Sequence, residues 1–163
     1  MCESFIAESA RYLEEIHLPR LVEATATLPQ SDLWWRPHDG VISVGNILLH
    51  LEGNVRQWII CGVGGAEDHR QRPTEFATTK GLLADELLMR LSTTVVDACT
   101  TIRSLDREHL SKSHVIQGMD TTVLAALYHV VEHFSWHTGQ AVWIAKARAG
   151  ESHGLSFYDD SKL

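Results

Sequence analysis

The feature that most constrains the fold of this chain is a run of histidines inside one long helical segment. His129, His133 and His137 follow one another at intervals of four residues within the stretch 121–149, which ends at Gly150. An α-helix has about 3.6 residues per turn, so this spacing stacks the three imidazoles along one side, one turn apart. Two imidazoles at this spacing can bind one metal ion. The run fits a small helical metalloprotein, although this spacing also arises by chance in a chain with ten histidines.

The apolar residues of the same segment indicate which histidines face the core. Measured around the helix from His133, they occupy an arc from about +20° to about +120°. These residues are Val123, Ala126, Leu127, Val130, Phe134, Ala141 and Ile144. His137 lies inside the arc at about +40°, whereas His129 lies at about −40°, on its polar rim. We therefore expect His133 and His137 to point inward and His129 to have a supporting or surface role.

A third ligand has to come from another segment, and His50 is the main candidate. It lies in a second predicted helix, residues 44–61, for which Ser43 is a suitable N-cap. Around this helix His50 lies on a polar stripe at the edge of the apolar arc, within about 40° of Asn54 and Gln57. These two amides are candidates for a pocket beside the metal. An ordinary helix boundary has the same pattern, so the periodicity alone fits both interpretations.

Two further segments, 3–28 and 81–104, carry apolar residues at helical spacing. Together with the histidine-bearing segments they predict an all-α four-helix bundle. Pro19 is expected to kink the first helix or to end a turn there. Large aromatic residues in a loop usually fold back on a core, so we expect Trp34 and Trp35 to pack rather than to bind a ligand.

The connections between the predicted helices are expected to be irregular. The polar stretch 66–79 is predicted to be a long loop, and residues 106–119 are predicted to be irregular or to hold a short turn. No segment gives a convincing strand pattern. A chain of 163 residues suits one buried core. We therefore expect a single four-helix-bundle domain over residues 1–150 and a C-terminal tail over residues 151–163.

The charge of the chain argues against nucleic acid as a partner. There are 21 acidic and 14 basic residues, a net charge of −7, and the basic residues are scattered. The densest basic pair, Arg70 and Arg72, is expected to lie in a solvated loop. No apolar run is long enough for a membrane span and no secretory signal is visible, so a cytoplasmic location is expected. Cys61 and Cys99 are expected to be small core residues rather than a disulfide.

Two short motifs resemble the DinB-like (YfiT-like) superfamily of bacterial metal-binding proteins. The first is Gly-Asn-Ile-Leu-Leu-His-Leu at residues 45–51, followed by Trp58, and the second is His-x-x-x-His-x-Gly-Gln at residues 133–140. The resemblance extends from the first helix to about Gly150. It implies a four-helix bundle in which one histidine of the second helix and two of the fourth bind a divalent metal. Matched residue by residue, these ligands are His50, His133 and His137.

The resemblance also implies a chemistry. Three imidazoles leave positions of the ion open for water or substrate, and imidazole suits both zinc and nickel. The superfamily includes metal-dependent transferases that use low-molecular-weight thiols, and relatives linked to isomerisation and hydrolysis. A thiol S-transferase, or a related transferase or hydrolase, acting on a small-molecule substrate is therefore implied. So is a homodimer, for which the candidate contacts are the first helix, Trp34, Trp35, Trp136 and Trp143. The last two lie outside the apolar arc, which indicates a second packing surface.

No catalytic residue can be assigned from the sequence. Glu52 and Glu132 adjoin histidines in the chain, but neighbouring residues of a helix point about 100° apart, and both are expected to be solvated. Two alternatives to an enzyme follow. One is a non-catalytic metal-binding or stress-associated bundle that the ion stabilises. The other is a plain interaction bundle in which the histidines are hydrogen-bonded core groups.

Overall fold

A computed structural model describes residues 2–157, so that residues 158–163 of the expected tail lie outside the described residues. Four helical rods form a bundle, which confirms the predicted all-α architecture. The first rod consists of α1 (Cys2–Arg11), a π-helical turn (Tyr12–His17) and α2 (Leu18–Ala26). Pro19 is the second residue of α2 and cannot donate a backbone hydrogen bond to the preceding turn, which is π-helical.

The second rod carries His50. It consists of α3 (Val44–Val55) and a π-helical continuation (Arg56–Val63). Ser43 is the N-cap, as predicted: its hydroxyl accepts from the backbone N–H of Asn46 at 3.2 Å, while the Asn46 side-chain oxygen accepts from the Ser43 N–H at 3.1 Å. Trp34 packs against the start of this rod, since a Cβ on Gly45 would lie 2.7 Å from the indole.

The third and fourth rods are α5 (Ala84–Arg103) and α6 (Val123–Ala149). The hydroxyl of Thr122 accepts from the N–H of Ala125 and caps the start of α6. The apolar faces of all four rods meet in one core, as their periodicity predicts. Its largest fully buried side chains include Leu13, Leu21, Ile47, Leu51, Leu87, Leu91, Ile102, Leu127 and Phe134.

The expectation that residues 106–119 contain no strand was wrong. An antiparallel hairpin precedes α6, formed by β1 (Ser113–Ile116) and β2 (Met119–Thr122). Its two-residue turn, Gln117 and Gly118, has φ values of 55° and 74°. Positive φ at both central residues matches the right-handed twist of the flanking strands, so this turn closes a tight hairpin.

The prediction of an irregular loop over residues 66–79 was also wrong, because the stretch contains α4 (Arg72–Ala77). We call residues 66–79 the strap, since they lie across α3. The amide nitrogen of Asn46 on α3 donates to the backbone oxygens of Glu75 and Thr78, at 2.8 and 2.7 Å. A helix that offers polar side chains to a neighbouring segment in this way fixes that segment's position.

After α6 the chain turns back onto the bundle. Leu155 is buried against Ala24 and Ala145, in a small apolar cluster separate from the main core. Among residues 2–157, none of the helices combines the length and apolarity that a membrane crossing requires.

Candidate metal centre

The three histidines implied as ligands meet between α3 and α6. The Nε2 atoms of His50 and His133 lie 3.1 Å apart, and the ring centroid of His137 lies 5.0 Å from that of His50 and 4.5 Å from that of His133. One nitrogen from each ring lies within 4.8 Å of the others. Two nitrogens that share a zinc ion in tetrahedral geometry, each about 2.0–2.1 Å from it, are roughly 3.0–3.5 Å apart. The closest pair therefore already has a separation that suits one ion.

The outer nitrogens of two of these rings are held by oxygen atoms. His50 Nδ1 lies 2.8 Å from a carboxylate oxygen of Glu75, and His137 Nδ1 lies 2.7 Å from the amide oxygen of Gln140. These oxygens only accept, so each Nδ1 carries the proton and each Nε2 is left with a lone pair. His133 Nδ1 is buried and has no hydrogen-bond partner within the described part of the chain.

Electrostatics keeps the pair on α6 neutral. Burial, followed by the neighbouring histidines, lowers the pKa of His133 to about 3. Burial and His50 likewise lower the pKa of His137 to about 4, against a weaker opposing effect of Gln140. A neutral imidazole is the form that binds a metal ion, so both side chains are ready to act as ligands near pH 7.

The carboxylate beside His50 belongs to a buried ion pair that the sequence did not reveal. Arg70 donates through Nε to one oxygen of Glu75 at 2.7 Å and through Nη2 to the other at 2.9 Å. The two side chains are only 4% and 8% exposed, so the expectation of a solvated Arg70 was wrong. Burial raises the pKa of Glu75, but hydrogen bonds from Arg70 and His50 outweigh it and leave the pKa below its usual value.

The three other predicted site residues lie around this centre at different distances. His129 packs against Trp58, with ring centroids 4.2 Å apart and the ring planes tilted by 44°, and its Nε2 lies 3.4 Å from the amide nitrogen of Asn54. The Asn54 amide oxygen is buried and, within residues 2–157, unpaired. Gln57 instead accepts from Arg70 Nη1 at 2.9 Å. His129 thus adjoins the trio, with its ring centroid 5.3 Å from that of His133, whereas Asn54 is linked to the trio through His129 and Gln57 through Arg70.

The acidic neighbours of the histidines in the chain do not face the centre. Glu52 accepts from Arg56 Nε at 3.0 Å and from the hydroxyl of Thr94 at 3.2 Å, on the side of α5. Its side chain is half-buried, which corrects the expectation that it is solvated. Glu132 is exposed, as expected.

Comparison with known proteins assigns the chain to a family. Residues 4–156 match the family described as "Protein of unknown function (DUF1572)". The chain belongs to this family. No curated protein matches it.

Solved structures share the fold of this DUF1572 protein. A DinB-like protein (YjoA) of Bacillus subtilis is 15% identical, with a TM-score of 0.67 over 96% of this chain and 98% of that one. A conserved protein of Enterococcus faecalis is 17% identical, with a TM-score of 0.73 over 86% of this chain and 94% of that one. The bundle is therefore DinB-like, as the two sequence motifs suggested.

Two concave surfaces of the DUF1572 bundle each include a residue that is hydrogen-bonded to the histidine trio, Gln140 in one and Glu75 in the other. The first, which we call the aromatic groove, has a volume of about 720 Å³, and its lining includes Trp35, Val41, Trp136, Gln140, Trp143 and Ile144. Gln140 joins it to the trio through His137. The second is a polar cleft of about 460 Å³ on the strap side, whose lining includes Glu52, Gly53, Arg56, Arg70, Glu75 and Arg90.

Proposed function

We propose that this DUF1572 protein binds one divalent metal ion, zinc or nickel, through His50, His133 and His137. One observation carries the proposal. Imidazole nitrogens from two different rods converge within 4.8 Å, and acceptors already hold the outer nitrogens of His50 and His137. Histidines that ligate metals commonly have such acceptors on their other nitrogen, because the acceptor fixes the tautomer and the ring orientation.

We further propose that the protein is a thiol S-transferase. When bound, the ion would supply Lewis acidity that lowers the pKa of a coordinated water or thiol. Hydrolysis also benefits from a general base, and Glu52, Glu75 and Glu132 are all unsuited to that role because they are turned away, paired with Arg70 or exposed. Transfer of a low-molecular-weight thiol needs no such base once the thiol is deprotonated.

The aromatic groove provides a surface for the small electrophilic substrate. Its aromatic and aliphatic side chains suit an apolar molecule, and Gln140 brings one wall next to His137. In the reaction the thiolate sulfur bonds to the electrophilic carbon, the leaving group departs with the bonding electron pair, and the thiol proton passes to solvent. The chain's contribution is to orient the two reactants and to exclude water from the apolar wall.

Metal binding is tested on protein purified without an affinity tag. Elemental analysis and titration with zinc or nickel should give one ion per chain. Replacement of His50, His133 or His137 by alanine should abolish tight binding. The matched control is His69→Ala, since the His69 side chain is 75% exposed on the strap. A wild-type protein that neither contains nor takes up either metal would contradict the proposal.

The transferase activity is tested separately with the metal-loaded protein. A panel of cellular thiols is offered with a chromogenic electrophile, and the product is identified by mass spectrometry. We expect transfer that His137→Ala abolishes and that Val41→Ala, in the aromatic groove but outside the proposed dimer contact, weakens. Full metal loading without turnover across the panel would eliminate the enzyme and leave metal binding in place.

A second candidate function is metal binding without catalysis. The observation that favours it is that one ion would join α3 to α6, and through Glu75 also the strap, so its binding energy would stabilise the fold. A large fall in melting temperature on chelation, without any turnover, would support this function over the transferase.

We also propose that the protein acts as a cytoplasmic homodimer. Trp136 and Trp143 on α6 are 62% and 67% exposed, and burial of two such rings against a second copy is favourable. Light scattering should give twice the mass of the chain, and Trp143→Ala should shift the equilibrium to monomer. A monomeric wild type at high concentration would rule out this assembly.

A further inference from the structure

We propose that the buried Arg70–Glu75 ion pair, seated against Gly53 of α3, is a positioning pair. It holds the His50 ring with Nδ1–H on the carboxylate and with Nε2 directed at His133 and His137. The expected effect of the pair on metal affinity rests on the proposed metal binding. The orientation and tautomer of the His50 ring do not, and they can be measured in the metal-free protein. Neither residue would touch the ion.

The contacts around His50 Nδ1 decide its protonation. Glu75 Oε2 lies 2.8 Å away and Arg70 Nη2 lies 3.2 Å away. If Nδ1 accepted from the arginine, its lone pair would face a carboxylate oxygen at the shorter distance, which is repulsive. A proton on Nδ1 removes that repulsion and gives the carboxylate a donor. Arg70 Nη2 then donates to the Glu75 oxygen at 2.9 Å and lies 3.4 Å from the backbone oxygen of His50.

Gly53 provides the room for the ion pair on the surface of α3. A Cβ at this position would lie 2.3 Å from Glu75 Oε1 and 2.8 Å from Arg70 Nε. Glycine inside a helix stabilises the helix less than alanine does. Glycine at this position therefore lowers the stability of the helix, but it allows the ion pair to approach the backbone closely, one turn after His50.

One polar stripe of the second rod, on α3 and its π-helical continuation, fixes the strap on both sides of the pair. Asn46, His50, Gly53 and Gln57 follow one another at intervals of four, three and four residues, so they share one face of the rod. Asn46 holds the backbone at Glu75 and Thr78, while Gln57 accepts from Arg70 and donates to Asp68. The polar stripe thus serves as a seat for the strap, and the position of the carboxylate follows from α3 itself.

The test compares Glu75→Ala, which removes the acceptor, and Gly53→Ala with two controls outside the pair. Glu67→Ala changes an exposed carboxylate of the strap, and Glu52→Ala changes a half-buried carboxylate on α3 that faces α5. Zinc affinity is measured by competition with a chromophoric chelator. Loss of an acceptor behind a metal-binding histidine commonly costs about 10–100-fold in affinity. We expect a loss of that size for the two test variants and less than twofold for both controls.

Two further measurements distinguish the positioning of His50 from a purely structural role of the ion pair. Thermal unfolding of the metal-free variants reports stability, and long-range ¹H–¹⁵N NMR of the imidazoles reports the tautomer of His50. We expect Nδ1–H in the metal-free wild type and a mixture of tautomers in Glu75→Ala. Lower stability with unchanged zinc affinity and tautomer would overturn the inference, as would an Nε2–H tautomer in the wild type. If the wild type binds no zinc, the proposed function fails, while the tautomer still tests the positioning.

Discussion

Acidification should destabilise the metal-free protein, because His133 and His137 stay neutral in the fold. An unfolded histidine has a pKa of about 6.5. In the folded chain burial lowers the pKa values to about 3 for His133 and about 4 for His137. Below pH 6.5 the unfolded chain therefore binds more protons than the folded chain. The free energy of unfolding consequently decreases as the pH is lowered. The stability that this difference in pKa provides is fully present above about pH 6.5. It is lost as the pH falls toward the pKa values of the folded protein.

The size of the effect follows from the width of this window. Each pH unit within it is worth about 1.4 kcal/mol for one proton. Between about pH 6.5 and pH 5 neither histidine is protonated in the fold, so each contributes a loss of about 2 kcal/mol. That is a large share of the roughly 5–15 kcal/mol that stabilises an ordinary domain.

Urea denaturation in the presence of a chelator, at several pH values between 7 and 5, measures this loss. The variant His137→Gln removes one of the two groups and should make the dependence on pH shallower by about one proton. His69→Gln, at an exposed position, should leave the slope unchanged. A free energy of unfolding that stays level or rises between pH 7 and pH 5 would refute the reasoning, and so would an unchanged slope in His137→Gln.

Three further outcomes are expected. Phe134→Ala should lower the free energy of unfolding by about 3–5 kcal/mol in chemical denaturation, because it leaves a cavity where a large side chain is fully buried, whereas Met89→Ala at an exposed position should change it little. Ser43→Ala should cost about 1 kcal/mol in the same assay, since the start of α3 loses its cap. Cys99 should resist alkylation in the native protein at neutral pH, because burial raises the pKa of its thiol to about 11; rapid labelling without unfolding would contradict this.

Helical periodicity was enough to predict the bundle and the inward direction of His133 and His137. The long apolar arc of α6 fixes which side faces the core, so His133 and His137 point inward on any bundle built from this helix. These directions are properties of a single helix, which is what a sequence pattern reports. That His50 meets the pair is a relation between two helices, and the motif resemblance indicated it, because an ordinary helix boundary has the same polar stripe.

The strap could not be predicted for the complementary reason. Its residues are polar and its helix has only six residues, so no periodicity separates it from a solvated loop. Arg70 and Glu75 are buried by α3 rather than by their own segment. The sequence signal for the strap was the stripe of Asn46, His50 and Gly53. It indicates that a polar segment covers this face of α3, but it does not identify the segment. The hairpin was missed similarly, since of its two four-residue strands only Ile116 is buried.

The double anchoring of the strap has a consequence for the length of the chain. Surface connections ordinarily tolerate insertions, because their ends need only be joined. Here one residue more or less between Asp68 and Thr78 would shift the following backbone by up to about 3.5 Å, which exceeds the tolerance of a hydrogen bond. The carboxylate would then miss the imidazole while the bundle stayed intact. The number of residues between Asp68 and Thr78 is therefore fixed by the contacts at both ends of the strap. Insertions and deletions in related sequences should fall outside this segment.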